Sequence, residues 1–401
     1  MRQFTTRQIV LLGVLMEVGI TLIHAPAQAA DYANQHAYWT CVIAAIVLCL
    51  PIWAMLRLKR RFPDQDLMQA MVSSHPVLGR MLLAVYLILF LIIFARDLRI
   101  ITDLVEVVLL PLTPIVVVSL ILLLTLAFMA KGGISTIVNM TEIFVPLLIL
   151  TLLTMPLFFG RNMDFSVLRP YLHPEVDGVI KGSWRMLGYM ADIMIVPFVI
   201  SGKSYNGRSA WYGHLLGTAF LTMLMLLSEL VIGVPILSRL FYPSYELVRQ
   251  LQLTDFLDRF DLFVAALTVP TFLTKIGVDL YVTSLAVKRM FAQAWGSLMV
   301  WPVGLLGYVC SFMLFSNIVQ IYDFSREWTV VMIIFFVIMP LLLRCCSDPN
   351  LKGEAEMIRH LTESEIAVVR KKASMEEEQD TTTYKITVFI GKVILICLLP
   401  L

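Results

Sequence analysis

Glu17, Asp192, Glu229, Lys275 and Asp279 are ionisable side chains inside stretches apolar enough to lie in hydrocarbon. A charge at the centre of a membrane helix costs about 3 kcal/mol on insertion scales unless it is paired or wetted, so each is a candidate for function. Glu17 stands two residues before Gly19, and Asp192 stands four residues after Gly188, on the same helical face. Lys275 and Asp279, in "TFLTKIGVDLY", are one turn apart. They suit either a site or a self-neutralising pair that fixes packing. Glu17 suits either mid-membrane or a place nearer the cytoplasmic surface. His24 and Asp31 are expected at the outer interface. "FARDLRIITDLVE" puts Arg96, Asp97, Arg99 and Asp103 near the outer end of a span, where mutual pairing in a wet vestibule accounts for them.

The elements that carry these residues are membrane spans. Hydrophobic residues make up 59% of the 401 positions and charged residues only 15%, and the mean hydropathy is +0.83. A soluble domain of this length could not bury so much apolar surface. Ten apolar segments are expected near 8–28, 37–56, 80–100, 105–129, 139–159, 183–201, 212–237, 262–287, 297–317 and 328–344. The first is read as a span and not as a cleaved leader, because many more follow. Lysine and arginine orient them. Arg2 and Arg7 precede the first span; Arg57, Lys59, Arg60 and Arg61 follow the second; Lys131, then Lys203 with Arg208, then Lys288 with Arg289 mark later even-numbered connections. "DYANQHAY" has neither residue. Both termini are therefore expected in the cytoplasm.

The longest connection, 238–261, spaces Leu247, Leu251, Leu253 and Phe256 as an amphipathic helix on the outer face would. The chain divides into a ten-helix domain, 1–345, and a charged tail, 346–401, whose last apolar segment either lies at the interface or crosses again. The six cysteines show no metal-ligand spacing. A Walker loop, HExxH, paired CxxC and GxSxG are all absent from the sequence. No enzyme activity, cofactor, metal or nucleic-acid partner is expected.

Ten spans invite a division into two halves of five. The first span of half one, "LMEVGITLIHAPAQAADY", carries Gly19 and Pro26; the first of half two, "GSWRMLGYMADIMIVPFVISG", carries Gly188 and Pro197. Glycine lets a backbone leave helical geometry, and proline withholds a donor two turns later. Unpaired backbone groups inside a membrane require a polar cavity or a ligand. Inverted-repeat transporters place their substrate there, although simple kinks fit the same residues.

"FTTRQIVLLGVLMEVGITLIHAPAQAADYANQHAYW", "KGGISTIVNMTEIFVPLLIL" with Glu142 and Pro146, and "LRPYLHPEVDGVIKGSWRMLGYMADIMIVPFV" with Arg169, Pro170, Gly178 and Gly182 occur in an order that resembles the spore germination permease family. "FYPSYELVRQLQLTDFLDRFDLFVAALTVPTFLTKIGVDLY" is the strongest match. The resemblance covers about 3–345. It implies an all-α integral membrane fold of the amino acid–polyamine–organocation superfamily, a five-plus-five inverted repeat with broken first and sixth helices. It further implies a B subunit of a nutrient germinant receptor in the inner membrane of the spore. Such a subunit binds a small nutrient, typically an amino acid, and signals to an A-type membrane subunit and a lipoprotein C subunit. The alternatives are a proton- or sodium-coupled amino-acid transporter and a structural partner without ligand binding. Spacing and the superfamily's layout together place backbone near Gly19 and Gly188 at the ligand's polar ends. Glu17, Thr21, Tyr189 and Asp192 are expected to line the cavity, with Thr271, Thr274 and Lys275 from span eight and Tyr86 from span three.

Overall fold

The computed structural model describes residues 4–338 except 63–64, 75, 161, 170–174, 203, 251–259 and 292–298. The expected tail, 346–401, lies outside the described residues. All regular structure within them is helical.

The first apolar segment is two helices. α1 (Thr6–Val18) starts at a capping box: Thr5 Oγ1 accepts from the Gln8 amide at 3.3 Å, and Gln8 Oε1 accepts from the Thr5 amide at 2.9 Å. It stops at Gly19, whose amide donates to Leu15 O at 2.9 Å. α2 (Thr21–Ala33) restarts beyond Ile20. Pro26 lies inside α2 without ending it. The carbonyl that Pro26 cannot engage, Leu22 O, takes a hydrogen bond from the Ser244 hydroxyl instead. The break is thus narrower than the glycine–proline interval suggests.

α3 (Ala37–Arg61), α4 (Leu67–Ser74), α5 (Pro76–Val108), α6 (Ile115–Lys131) and α7 (Ile134–Phe159) complete the first half. The second half also opens on an interrupted helix. α8 (Val176–Met190) tightens into a 3₁₀ turn, Ala191–Ile195, and α9 (Val196–Val199) follows with Pro197 in its first turn. A proline there leaves no intrahelical donor missing. Gly188 precedes this break and serves another purpose: a Cβ there would stand 2.6 Å from Thr329 Oγ1. α10 (Gly207–Ile232), α11 (Val234–Leu237), α12 (Pro243–Arg249), α13 (Phe260–Phe291), α14 (Val300–Leu314) and α15 (Ile318–Ile333) finish the described chain.

Each of the ten expected segments is occupied chiefly by helix over its described residues. Five helical stretches are each long and apolar enough to cross a bilayer, and Val300–Leu314 with Ile318–Ser325 form a further candidate bent by 91°. Among the described residues, α6 and Glu327–Phe336 are shorter apolar helices. On α6, Val118, Leu122 and Leu126 face inward, whereas Val116, Leu120 and Leu124 face outward. Such an all-round apolar helix belongs at a lipid boundary. The chain is a multi-pass membrane protein.

Three boundaries differ from expectation. α5 runs eight residues past 100, so Arg96 to Asp103 sit within a continuous helix. Residues 318–327, expected as a connection, begin α15, because Asn317 Oδ1 caps it through the Gln320 amide at 3.0 Å. The helix expected within 238–261 is α12, with Leu247 and Val248 buried; Leu251, Leu253 and Phe256 lie outside the described residues.

α5 packs along α13, α2 along α8, and α1 along α10. At the last interface a Cβ on Gly13 would lie 3.3 Å from the Gly213 Cα, so two glycines let the backbones meet.

Candidate ligand site at the two helix breaks

Where the interrupted helices approach α5 and α13, five charged side chains come together. Arg96 and Asp97 come from α5, Asp192 from the 3₁₀ turn, and Lys275 and Asp279 from one turn of α13. Lys275 Nζ donates to Asp97 Oδ2, to Asp192 Oδ2 at 2.7 Å and to Asp279 Oδ2 at 3.0 Å. Arg96 Nε donates to Asp97 Oδ1 at 2.6 Å, and Nη2 to Asp192 Oδ2 at 2.9 Å. These side chains are at most 3% exposed. Burial of this depth is tolerated because every ion has an opposite partner within hydrogen-bond reach.

The cluster is not fully self-satisfied. Arg96 Nη1, Asp192 Oδ1 and Asp279 Oδ1 have no hydrogen-bond partner, nor has the indole Nε1 of buried Trp328. The Tyr189 and Trp328 rings each lie 5.7 Å from the Arg96 guanidinium carbon. Donors and acceptors without partners, beside two aromatic faces, are what a small polar ligand requires.

Beside this cluster a polar chain ties α2 and α8 to α15. Gln28 Nε2 donates to the Tyr189 hydroxyl at 3.1 Å, and Ser325 Oγ to Gln28 Oε1 at 3.2 Å. Arg185 Nη1 reaches Ser325 Oγ at 2.8 Å, and Nη2 reaches the Tyr32 hydroxyl at 2.8 Å. On the opposite side Lys59 Nζ donates to Ile200 O at 2.6 Å, just past the end of α9. Tyr86 donates to Phe335 O at 2.6 Å and packs with Phe90 and Phe198.

The expected site residues do not all meet, and Tyr86 is already committed to Phe335 O. Asp192, Lys275 and Tyr189 meet in or against the charged cluster. Gly19 borders it, since a Cβ there would lie 3.1 Å from Lys275 Cγ. Gly188 contacts α15, and Thr21 is buried at the first position of α2. Thr271 and Thr274 turn their hydroxyls onto their own helix, to Leu267 O at 3.2 Å and Pro270 O at 2.7 Å. Glu17 points elsewhere. Its Oε2 lies 3.0 Å from His214 Nδ1, and its Oε1 accepts from Thr218 at 2.8 Å, both on α10. It is wholly buried. Glu229 Oε1 accepts the Tyr38 amide at 3.0 Å, at the start of α3.

Arg96 and Asp97 correct the vestibule reading. They pair with each other, but they are buried and shared with Asp192 of the second interrupted segment and Lys275 of α13. Arg99 and Asp103 do form a mutual pair at 3.2 Å. His24 is buried, with Nδ1 2.8 Å from Phe241 O. Trp328 and Gln28 carried no signal, since an aromatic and an amide near span ends are ordinary. Among the described residues no group of three histidine, cysteine or acidic side chains is arranged for a metal ion. A separate apolar cavity of about 50 Å³ is lined by residues such as Leu22, Leu104, Leu152 and Phe272, and shares none with the cluster.

The fold is that of known transporters. Mhp1, a nucleobase-cation-symport-1 family transporter solved closed with bromovinylhydantoin bound, aligns with a TM-score of 0.57 over 83% of this chain and 78% of its own, at 13% identity. Among curated sequences, the putative spore germination protein YfkT of Bacillus subtilis strain 168 is 27% identical over 82% of this chain and 92% of its own length. Spore germination protein KB of the same organism is 20% identical over 79% of this chain and 86% of its own. The sequence pattern described as spore germination protein matches residues 3–319, and the chain belongs to the spore germination permease family.

Proposed function

We propose that this chain is the nutrient-binding B subunit of a germinant receptor, acting by binding and not by catalysis. The observation that carries the reading is the buried cluster of Arg96, Asp97, Asp192, Lys275 and Asp279, with polar atoms left free where both interrupted helices arrive. A zwitterion such as an amino acid matches such a mixture of free donors and acceptors. Its carboxylate would face Arg96 Nη1 and the Trp328 indole, and its ammonium Asp192 Oδ1 or Asp279 Oδ1. Binding would favour one arrangement of the interrupted helices, by no more than the ligand's differential affinity for the two states. That preference would pass to an A-type membrane subunit and a lipoprotein C subunit in the inner membrane of the spore.

A second reading, proton-coupled uptake of the same ligand class, is favoured by the buried Glu17–His214 pair, a proton-bearing couple between α1 and α10. Equilibrium binding of a labelled amino-acid panel to the chain in proteoliposomes, alongside uptake with and without a proton gradient, separates the two. Saturable binding without accumulation is expected. Gradient-driven accumulation lost in Glu17→Gln would overturn the receptor reading.

A further inference from the structure

We propose that the Lys275 ammonium is a tethered cation standing where a mobile coupling ion would sit, so that the chain needs no sodium to hold its ligand-binding arrangement. Transporters with interrupted helices bind their coupling cation at half-helix C-termini and unwound backbone carbonyls. Lys275 reaches that place from α13. Its stem passes the C-terminal end of α1, where a Gly19 Cβ would lie 3.1 Å from Cγ. Its Nζ takes one oxygen from each of three carboxyls: Asp97 on α5, Asp192 in the 3₁₀ turn and Asp279 on α13. One covalently held charge therefore joins the second interrupted segment to both long helices, while its stem packs against the end of α1.

An ammonium has three protons, and here each is directed to a different carboxyl. The same three acids, without Lys275, would be a cage for a free cation. A sodium ion entering beside the ammonium and the Arg96 guanidinium would meet repulsion from two fixed positive charges. The position is occupied by the chain itself. Truncating the side chain uncovers the cage: one guanidinium is left facing three carboxyls, and an external cation gains a reason to bind.

The stability arms of the test need no ligand, and only the last arm rests on the function proposed above. Thermal unfolding of the full chain in lipid nanodiscs is followed in sodium, potassium and choline chloride at equal ionic strength. Wild type is expected to unfold at one midpoint in all three. Lys275→Ala is expected to unfold at a lower midpoint in choline chloride. Propylammonium, which matches the deleted atoms, should raise it, and tetramethylammonium, which cannot donate a hydrogen bond, should not. A sodium-specific rise in the wild-type midpoint would overturn the proposal, and this holds even if Lys275→Ala does not assemble. A Lys275→Ala midpoint indifferent to every cation would overturn it too. In the last arm, amino-acid binding to wild type should have the same Kd in sodium and choline, and sodium-dependent binding would count against the tethered cation. No binding of any amino acid would count against the proposed function alone, with the salt and amine arms still deciding this inference.

Discussion

Asp192 Oδ2 accepts from two cations at once, Arg96 at 2.9 Å and Lys275 at 2.7 Å. Replacing it with asparagine removes the charged acceptor that the two cations share, while Arg96 keeps Asp97 and Lys275 keeps Asp97 and Asp279, a change worth roughly 1.5–3 kcal/mol for a hydrogen bond between charged groups. Asp192→Asn is expected to lower chemical unfolding stability by about that amount, and Lys181→Ala, which breaks an exposed pair, to change it by less than about 1 kcal/mol. The Glu17–His214 couple allows a finer test. His214 Nε2 lies 3.1 Å from Ala45 O, a pure acceptor, so Nε2 carries a proton. Nδ1 then either donates to an ionised Glu17 or accepts from a protonated one, and both states place one proton between them. A glutamine amide in place of the carboxyl would supply an N–H to a neutral His214 and keep the geometry. A leucine side chain there would strand Nδ1 and the Thr218 hydroxyl. Glu17→Gln is therefore expected to fold with near wild-type stability, and Glu17→Leu to lose about 1–3 kcal/mol. Equal losses in denaturant titrations of the two variants would refute this assignment. At this scale the sequence marked Asp192, Lys275 and Asp279 of the charged cluster, because charges inside apolar runs are rare, but it set Arg96 and Asp97 apart from them. It could not show whom they meet: Glu17 and His214 are 197 positions apart, and Arg96 and Asp192 are 96 apart.

The interrupted helices were legible as elements, and their details were not. Gly19 and Gly188 both marked the right segments, but for different reasons. Gly19 ends α1, whereas Gly188 sits inside α8 so that α15 can come close. Thr329 Oγ1 at that contact is already committed to Trp184 O at 2.9 Å, and a Cβ 2.6 Å away cannot share the space. Gly188→Ala is expected to cost about 1–3 kcal/mol by overpacking, and Gly188→Leu to abolish ligand response with membrane insertion intact. Thr329→Ala removes the obstructing hydroxyl, so the Gly188→Ala/Thr329→Ala double variant should regain most of the stability lost in the single glycine variant. A double variant no better than the sum of its parts, by thermal unfolding, would mean that Gly188 is needed for backbone freedom instead. Proline misled the reading, since it marks a missing donor and not necessarily a break. The Leu22 carbonyl that Pro26 leaves free is served by Ser244, 222 positions away, which no local pattern reveals. Span length misled it for Arg96 and Asp97. A crossing of about 20 residues puts them at the outer edge, and the 33 residues of α5 put them among the other helices.

For the whole molecule, the side from which a ligand arrives follows from orientation. The buried charged cluster has the Tyr32–Arg185–Ser325–Gln28 chain toward one end and Lys59–Ile200 and Tyr86–Phe335 toward the other. Which end faces outward is set by the basic residues. The α3 terminus carries Arg57, Lys59, Arg60 and Arg61, whereas the stretch from Asp31 to Tyr38 has no lysine or arginine. The Tyr32–Arg185 end should therefore face outside, and a ligand from the medium must first part Arg185 from Tyr32. Asp31 and Arg60 are both exposed and bracket α3 from opposite ends. In a cysteine-free background, a membrane-impermeant maleimide should label Asp31→Cys in intact cells, and Arg60→Cys only after permeabilisation. The reverse pattern would turn the molecule over and make the Lys59 end the entrance. A consistent result adds a kinetic expectation. Arg185→Lys keeps the charge but loses the two-pronged reach to Ser325 and Tyr32, so it should speed ligand entry from outside with little change in the charged cluster, seen as a faster association rate at similar thermal stability.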